Sequence, residues 1–349
     1  MCGIVGAVAQ RNIVPVLLEG LRRLEYRGYD SCGVPVHQQG LKRSRSVARV
    51  AELAAQVEST ELTGHTGIAH TRWATHGAPA VHNAHPHFSH GPGVEAGNGP
   101  GRVALVHNGI IENFRALREE LAGKGHAFES ETDTEVAVHL VTHYLGQGLN
   151  PVDAAMASVK RLTGAFALVM IFKDEESLLI GARRGSPLAV GYGDKEAYLG
   201  SDAFALAPFT NRVAYLEDGD IAVVNGAKVA IYDAHGKTVS RPVHTTAPSA
   251  AIVDKGNQRH FMAKEIHEQP EVVGHTFARY IDASVPAVDL PTPEAMALFA
   301  QTPKLTISAC GTAFYAGLIG KYWFEQLARL PVEADIASEL RYQIGRAHV

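Results

Sequence analysis

The chain has 349 residues, of which 46% are hydrophobic and 19% are charged, as in a folded globular protein with two domains. The formal net charge of −4 gives no reason to expect a nucleic acid or a membrane surface as a partner. No membrane span or signal peptide is visible, and three scattered cysteines do not make a disulfide framework, so a cytoplasmic location is expected.

The first part of the chain predicts short buried strands combined with amphipathic helices. Residues 2–8 predict a buried strand, and apolar residues three and four positions apart predict a helix from Asn12 to Tyr26 that Gly28 ends. Further strands are predicted at Ser31–His37, Thr66–Thr71, Arg102–His107, Ala165–Phe172, Ser177–Gly181, Pro187–Tyr192, Glu196–Gly200, Asp220–Val224 and Ala227–Tyr232. Further helices are predicted at Asn113–Ala122, Asp133–Leu145 and Asp153–Arg161. Strands and helices are grouped rather than alternating, which indicates an α+β domain of packed layers.

The second part of the chain predicts a different architecture. Residues 259–281 predict a long helix that is interrupted or bent near Pro270. A buried strand at Lys304–Ala309, a glycine turn, an apolar helix as far as Leu327 and a strand at Val332–Ile336 follow. Strand, glycine turn, helix and strand are typical of the start of an α/β domain.

These patterns predict a domain organisation with four parts. Residues 1–236 form one domain, the polar segment 237–258 is a linker, and residues 259–343 form part of a second domain. We expect the second domain to be incomplete, because so few elements cannot cover both faces of a parallel sheet. Residues 344–349, with the preceding glutamine codon, can be reverse-translated into the start of a sequencing adapter, so a non-native tail is predicted.

Cys2 is the first candidate functional residue. Removal of Met1 would leave one residue that carries both a thiol and a free α-amine. The amine has a reference pKa of roughly 7.7–8.0, so it can accept the thiol proton near neutral pH. The alternative is a small buried residue near the start of a strand, and Cys2 alone favours that alternative.

The segment His70–Gly77, which reads HTRWATHG, follows a predicted strand. Arg72 can hold a carboxylate through two parallel hydrogen bonds. Thr75 and His76 can supply further donors, and Trp73 can shield the site from water. The alternative is a strand end with a solvent-facing arginine and a core tryptophan.

Two further segments carry polar groups next to predicted helices. In His107–Asn113 the Asn108 amide and the Gly109 N–H can point at one oxygen, as in an oxyanion hole. An ordinary Asn-Gly turn explains the same pair. In the segment 130–135, which reads SETDTE, Asp133 can accept from a substrate ammonium group, and an acidic helix start explains it equally well.

Taken together, these segments resemble the glutaminase domain of the class II glutamine amidotransferases. The resemblance implies an N-terminal-nucleophile fold, a four-layer αββα sandwich. Within that class, the chain as far as Tyr342 is most similar to the isomerizing glutamine–fructose-6-phosphate aminotransferases, whose second domain is a sugar isomerase (SIS) domain. The segments that carry this similarity are Leu21–Ser31, Gly67–Trp73, Ser130–Glu135, Lys264–Pro270, Ala309–Thr312 and Ile336–Glu339.

The resemblance implies a role for each candidate residue. Cys2 is the nucleophile and its amine the base, with an oxyanion hole of Asn108 and Gly109. The substrate-binding residues it implies are Arg72 for the α-carboxylate of L-glutamine, Asp133 for the α-amine, Thr75 and His76 beside them, Trp73 as a gate for ammonia and Arg27 in a closing segment. Gly311 and Thr312 would contribute to binding fructose 6-phosphate, although Ala313 stands where the family often has a serine. No cofactor or metal is implied, and a full-length member is expected to be a homodimer.

Three alternatives remain open from the sequence. The first is another class II amidotransferase, such as the phosphoribosyl-pyrophosphate type, against which the Lys264–Pro270 segment argues. The second is a metal-binding protein built on four histidines, namely His82, His85, His87 and His90. The third is an inactive binding module with a glutaminase fold, which retention of Met1 would favour.

Overall fold

The computed structural model describes residues 2–94, 101–245, 261–281, 297–299 and 301–340. The chain divides into two compact units, Met1–Gly256 and Asn257–Val349. The division falls inside the segment predicted as a linker. Residues 246–258 of that segment and the predicted tail at 344–349 lie outside the described residues.

Two antiparallel sheets form the centre of the first unit. In its described residues the strands are β1 (Gly3–Val8), β2 (Ser31–His37), β3 (Leu41–Ser46), β4 (Thr66–Arg72), β5 (His87–Ser89), β6 (Val103–Ile111), β7 (Gly164–Phe172), β8 (Glu175–Arg184), β9 (Ala189–Tyr192), β10 (Ala197–Gly200), β11 (Arg212–Tyr215), β12 (Ile221–Asn225), β13 (Lys228–Tyr232), β14 (Thr238–Val239) and β15 (Val243–Thr245). The first sheet has the order β15-β11-β9-β10-β1-β4-β2-β3, and the second has the order β14-β13-β12-β8-β7-β6-β5.

The side chains of the two sheets alternate between two different cores, as the two-residue period of a strand requires. On β1, Ile4 and Val8 face the second sheet, whereas Val5 and Ala7 face helices. On β6, Ala104 faces the first sheet and its neighbours face the opposite way. The two sheets therefore pack face to face, and each also has an outer face covered by helices.

Helices complete the two outer layers of the first unit. They are α1 (Val14–Leu24), α2 (Val50–Ser59), α3 (Phe114–Gly123), α4 (Thr134–Gly146), α5 (Pro151–Arg161) and the short α6 (Ala203–Leu206). Helices α1, α2 and α6 share a core with the first sheet, and α3, α4 and α5 share one with the second. The predicted four-layer αββα sandwich is confirmed.

Several elements of the sheets were not predicted. Strand β3 was missed because it is rich in charged residues. Two of them, Arg43 and Arg45, form ion pairs with Glu129, at 3.3 and 3.0 Å. Strands β14 and β15 fall within the segment predicted as a linker, and they pair with β13 and β11. The prediction of a linker starting at residue 237 is therefore wrong as far as residue 245, because backbone pairing holds these polar residues in the sheets.

The described part of the second unit contains a parallel pair of strands. Helix α7 (Phe261–Tyr280) continues through Pro270, where an interruption or bend was predicted. Strand β16 (Leu305–Ala309) leads into α8 (Gly311–Trp323) and pairs in parallel with β17 (Val332–Ile336), which α9 (Ala337–Leu340) follows. This order of strand, helix and strand agrees with the predicted α/β start. None of the described helices is long and apolar enough to cross a membrane.

Candidate active site

Cys2 lies immediately before β1, which is paired with β10 on one side and β4 on the other. Its sulfur accepts a hydrogen bond from the Trp73 N–H at 3.2 Å and lies 3.5 Å from the Trp73 carbonyl oxygen. Burial raises the pKa of the Cys2 thiol above its ordinary value, and the Trp73 N–H and the charge of Arg72 oppose that rise. The thiol is therefore protonated at neutral pH unless a base takes its proton.

Asn108 and Gly109 lie on β6 of the other sheet and face Cys2. The Asn108 side-chain amide donates to the Cys2 carbonyl oxygen at 3.1 Å. Gly109 has a φ of +119°, and a Cβ at this position would lie 2.0 Å from the Ala165 carbonyl oxygen. Both the backbone angle and the space therefore require glycine, and β6 passes closer to Ala165 of β7 here than any other residue would allow.

Arg72 ends β4, and its side chain is buried. Its guanidinium donates to the carbonyl oxygens of His76 and of Gly77, the latter at 2.9 Å. Among the described residues, no carboxylate lies within ion-pair distance of Arg72. Burial lowers the pKa of its guanidinium, and the nearby charges of Asp30 and Asp133 oppose that change. A buried guanidinium that only carbonyl oxygens hold is suited to binding an anionic ligand.

Asp30 anchors the loop that follows Arg72, a role that the sequence analysis missed. Its carboxylate accepts a hydrogen bond from the Ala74 N–H at 2.7 Å, and its own N–H donates to the Arg72 carbonyl at 3.1 Å. The only signal in the sequence was its place within the segment Leu21–Ser31.

Asp133 connects the end of β6 with the start of α4. Its Oδ2 accepts from the Ile111 N–H at 2.8 Å, and its Oδ1 lies 4.0 Å from Nδ1 of His107. The side chain is almost fully buried. A carboxylate at this helix start faces the same cleft as Arg72 and Cys2.

A narrow cleft brings most of the predicted site residues together. Its lining consists of Cys2, Arg72, Trp73, Thr75, His76, His85, His107, Gly109, Thr132, Asp133 and Thr134. A wider concavity opens near the other end of β1, next to Ala9 and Gln10, and it contains none of the predicted residues.

Some predicted residues lie elsewhere or differ in their surroundings. Arg27 lies on a turn after α1, where its guanidinium pairs with Asp202, and it does not line the cleft. Trp73 is 45% exposed, and its ring meets the Tyr29 ring edge to face at 5.6 Å, so it does not shield the cleft from water in this structure. In the second unit, Gly311 begins α8 with a φ of +59°, and Thr312 follows it, both exposed.

A cluster of buried histidines lies behind the cleft, composed of His70, His85, His87 and His107. Burial lowers the pKa of each of these four side chains, to about 3 for His70 and His87. Their rings are therefore neutral at physiological pH. His85 and His87 are two of the four histidines on which the metal-binding alternative was built.

The metal-binding alternative is not supported by this cluster. Within the described residues, no group of three or more histidine, cysteine or acidic side chains is arranged to hold a metal ion. His82 is exposed and lies 3.6 Å from Glu131. His85 instead accepts from the His107 N–H at 3.2 Å, and its other ring nitrogen lies 3.2 Å from the Thr134 hydroxyl.

Comparison with known proteins gives one match to part of the chain and others to nearly all of it. Residues 89–208 match a family model described as a glutamine amidotransferase domain. This range includes Asn108, Gly109 and Asp133, and it excludes Cys2 and Arg72. The glutamine–fructose-6-phosphate aminotransferase (isomerizing) of Mesorhizobium japonicum is 55% identical over 348 residues, which cover 98% of this chain and 54% of that protein. The corresponding protein of Bradyrhizobium diazoefficiens is 53% identical over 98% of this chain and 55% of its own length.

The chain spans about half the length of the curated relatives it matches. Among solved structures, the glutamine phosphoribosylpyrophosphate amidotransferase from B. subtilis aligns with a TM-score of 0.58 at 19% identity, over 95% of this chain and 65% of its own. An allosteric regulatory enzyme of purine biosynthesis aligns with a TM-score of 0.56 at 20% identity, with the same two coverages. At these identities the likeness is one of fold, which is the fold of the N-terminal-nucleophile glutamine amidotransferases.

Proposed function

Because the chain carries a glutamine amidotransferase domain, we propose that its first unit hydrolyses L-glutamine to L-glutamate and ammonia, with Cys2 as the nucleophile. The observation that carries the proposal is the pairing of Cys2 with Asn108 at one end of a cleft that also contains Arg72 and Asp133. A thiol, a hydrogen-bond donor, a guanidinium and a carboxylate are the groups that an amide hydrolase for an amino acid requires.

The substrate is held by opposite charges. We assign the α-carboxylate of glutamine to Arg72, because no carboxylate among the described residues forms an ion pair with its buried guanidinium. The α-ammonium group is assigned to Asp133, whose carboxylate accepts a hydrogen bond from the Ile111 N–H at 2.8 Å. Thr75 and His76 line the same cleft and supply further polar contacts. This arrangement directs the side-chain amide toward Cys2.

A base must first take the thiol proton, because burial raises the pKa of Cys2. In the described part of the chain, no histidine or carboxylate lies within hydrogen-bond distance of the sulfur, whose partners are backbone atoms of Trp73. The α-amine that removal of Met1 releases is the base that remains. Its reference pKa of roughly 7.7–8.0 suits the transfer.

The reaction then proceeds in two steps. The Cys2 sulfur forms a bond to the amide carbon, and the oxyanion is bound by the Asn108 amide and the Gly109 N–H. Asn108 gives one N–H to the Cys2 carbonyl and has a second available for the oxyanion. The carbon–nitrogen bond breaks as the amine returns its proton to the departing ammonia. Water, deprotonated by the same amine, then hydrolyses the thioester to glutamate and restores the thiol.

We further propose that the complete protein delivers this ammonia to fructose 6-phosphate and forms glucosamine 6-phosphate. The names of the relatives at 55% and 53% identity support this proposal. Gly311 and Thr312 open α8, and the N-terminus of a helix favours a phosphate group. Trp73 as a gate for ammonia, Arg27 in a closing segment, a homodimer and a cytoplasmic location stay predictions.

The test is the release of glutamate from L-glutamine by the purified 349-residue chain, with Cys2→Ala in parallel and intact mass spectrometry to follow Met1. Release that disappears in Cys2→Ala is the expected result. A folded chain that has lost Met1 and releases no glutamate would count against the proposal. It would favour the alternative of an inactive module with a glutaminase fold.

A further inference from the structure

His70 lies on β4 and is paired with Ile4 of β1. Ile4 follows Cys2 by two residues, so His70 lies beside the start of β1. Its side chain is fully buried and reaches across to β6 of the other sheet. There its Nε2 lies 3.0 Å from Oδ1 of Asn108 and 2.9 Å from the His107 carbonyl oxygen. The ring thus contacts the one side chain proposed to bind the oxyanion.

The protonation of His70 follows from these two partners. Both are oxygen atoms that accept hydrogen bonds, so the proton of the ring must be on Nε2. Burial lowers the pKa of His70 to about 3, which keeps the ring neutral throughout the physiological range. Its Nδ1 has no hydrogen-bond partner among the described residues. His70 therefore acts toward Asn108 as a fixed donor.

A fixed donor on one side decides how the Asn108 amide is oriented. With Oδ1 toward His70, the amide NH₂ points at the Cys2 carbonyl oxygen, 3.1 Å away. A flipped amide would place its oxygen against the Cys2 carbonyl and its NH₂ against the ring N–H. Both contacts would then pair like with like, acceptor with acceptor and donor with donor.

The ring of His70 is itself held in place. It stacks on the ring of His85, with centroids 4.1 Å apart and planes 21° apart. His85 in turn accepts from the His107 N–H and lies 3.2 Å from the Thr134 hydroxyl. His85 is thus hydrogen-bonded to both β6 and α4. Because the His70 ring stacks on it, little rotation of the His70 ring is possible.

We propose that His70 is a positioning residue whose Nε2–H holds the Asn108 amide with its NH₂ group toward Cys2, ready to bind the oxyanion of the tetrahedral intermediate. The inference rests on the proposed function, since it assigns a role within glutamine hydrolysis. His70 acts only through Asn108 and does not touch the substrate. Removing it should therefore lower kcat, leave KM nearly unchanged, and have no effect when Asn108 is already absent.

The experiment measures kcat and KM for glutamine hydrolysis by the whole chain and four variants: His70→Phe, His70→Gln, Asn108→Ala and the double variant His70→Phe/Asn108→Ala. Phenylalanine keeps the ring volume without the N–H, and glutamine can present an N–H near the same position. His87→Phe is the matched control, because His87 is equally buried but its Nε2 meets the Thr132 hydroxyl at 3.1 Å. Thermal unfolding of each variant separates folding from chemistry.

We expect kcat to fall about 10- to 100-fold in His70→Phe, with KM within about threefold of the wild-type value. The upper end of this range approaches the loss caused by removing an oxyanion-hole donor. His70→Gln should regain most of the loss, and His87→Phe should unfold at a lower temperature with kcat within about threefold of the wild type. In the Asn108→Ala background, His70→Phe should change kcat less than about twofold, because the two residues act as a unit.

If His70→Phe lowers kcat by the same factor in the wild-type and in the Asn108→Ala background, the inference is overturned while the proposed function stays intact. If His70→Phe does not fold, the pair His70→Gln and His70→Asn decides, because the shorter asparagine cannot reach Oδ1 of Asn108. Equal kcat values for that pair would also overturn it. A folded wild-type chain without Met1 that releases no glutamate overturns the proposed function, and this inference with it.

Discussion

The side chain of Asn108 donates to the main-chain carbonyl of Cys2 across 3.1 Å and so joins two residues that are 106 positions apart. Cys2 precedes a strand of one sheet, and Asn108 lies in a strand of the other. The contact therefore depends on how the two sheets pack as much as on either sequence motif. The proposed nucleophile and oxyanion hole are a product of the sandwich itself.

Asn108→Asp should lower kcat for glutamine hydrolysis about 100- to 1,000-fold, with a much smaller change in KM. The carboxylate has the same shape but no N–H for the oxyanion, and it places an acceptor against the Cys2 carbonyl. Steady-state kinetics of glutamate release check the change. A loss that appears in KM alone would show that Asn108 binds the ground state instead.

Arg72→Lys should raise KM for glutamine about 10- to 100-fold, because an ammonium cannot replace the two parallel hydrogen bonds of a guanidinium. The control substrate is 4-aminobutanamide, which has the γ-amide of glutamine but no α-carboxylate. Wild type and variant should hydrolyse this compound at equally low rates. A further loss with the control substrate would indicate damage to the loop around Gly77, whose carbonyl Arg72 also holds.

Gly109→Ala should destabilise the protein by more than about 2 kcal/mol. The new Cβ would approach the Ala165 carbonyl oxygen to 2.0 Å, and the φ of +119° disfavours any L-residue. Gly146→Ala is the matched control, because nothing lies within 4 Å of a Cβ at the end of α4. Urea unfolding should show the first change as a loss and the second as neutral or slightly stabilising.

Stability should decrease as the pH falls below about 6.5, the ordinary pKa of histidine in an unfolded chain. Burial lowers the folded-state pKa of His70 and His87 to about 3 and of His126 to about 4. Between these values and 6.5 the unfolded chain binds more protons, so acid favours unfolding. Each such histidine costs up to about 1.4 kcal/mol per pH unit. Urea unfolding at pH 7.5, 6.5 and 5.5 measures the slope.

His126→Phe should stabilise the protein, by about 1–3 kcal/mol, because neither ring nitrogen of the buried His126 has a partner among the described residues. The gain should be greater at pH 5.5 than at pH 7.5, since phenylalanine cannot bind a proton. His139→Phe is the control. Its Nδ1 contacts the Ser89 hydroxyl at 2.8 Å, and the loss of this hydrogen bond should destabilise the protein. A stabilising His139→Phe would mean that the region tolerates any ring.

The sequence was a good guide where one residue pattern decides the structure. The apolar spacing of α1 predicted that helix, and Asn12 accepts from the Val14 N–H near its start, as a residue at a helix entrance should. A strand was likewise predicted at Ala165–Phe172, where β7 lies. Cys2 and Arg72 were candidates by residue type and position, each with a structural alternative, and both line one cleft.

What the sequence could not predict depends on distant partners. Strand β3 is polar by composition and exists because β2 pairs with it along its whole length. The contact of His70 with Asn108 could not be predicted, because it requires the packing of two sheets. The same holds for Asp30, whose bond to the Ala74 N–H spans 44 positions.

The alternation of side chains along β7 has a thermodynamic consequence. The residues that face the other sheet are Ala167, Val169 and Ile171, whereas the helix-facing positions carry larger flexible groups such as Met170. Alanine and β-branched residues lose little side-chain entropy when they are buried. Strand β7 therefore enters the interior between the sheets at a small entropic cost, and it is this layer that fixes the strand after Cys2 against the strand of Asn108.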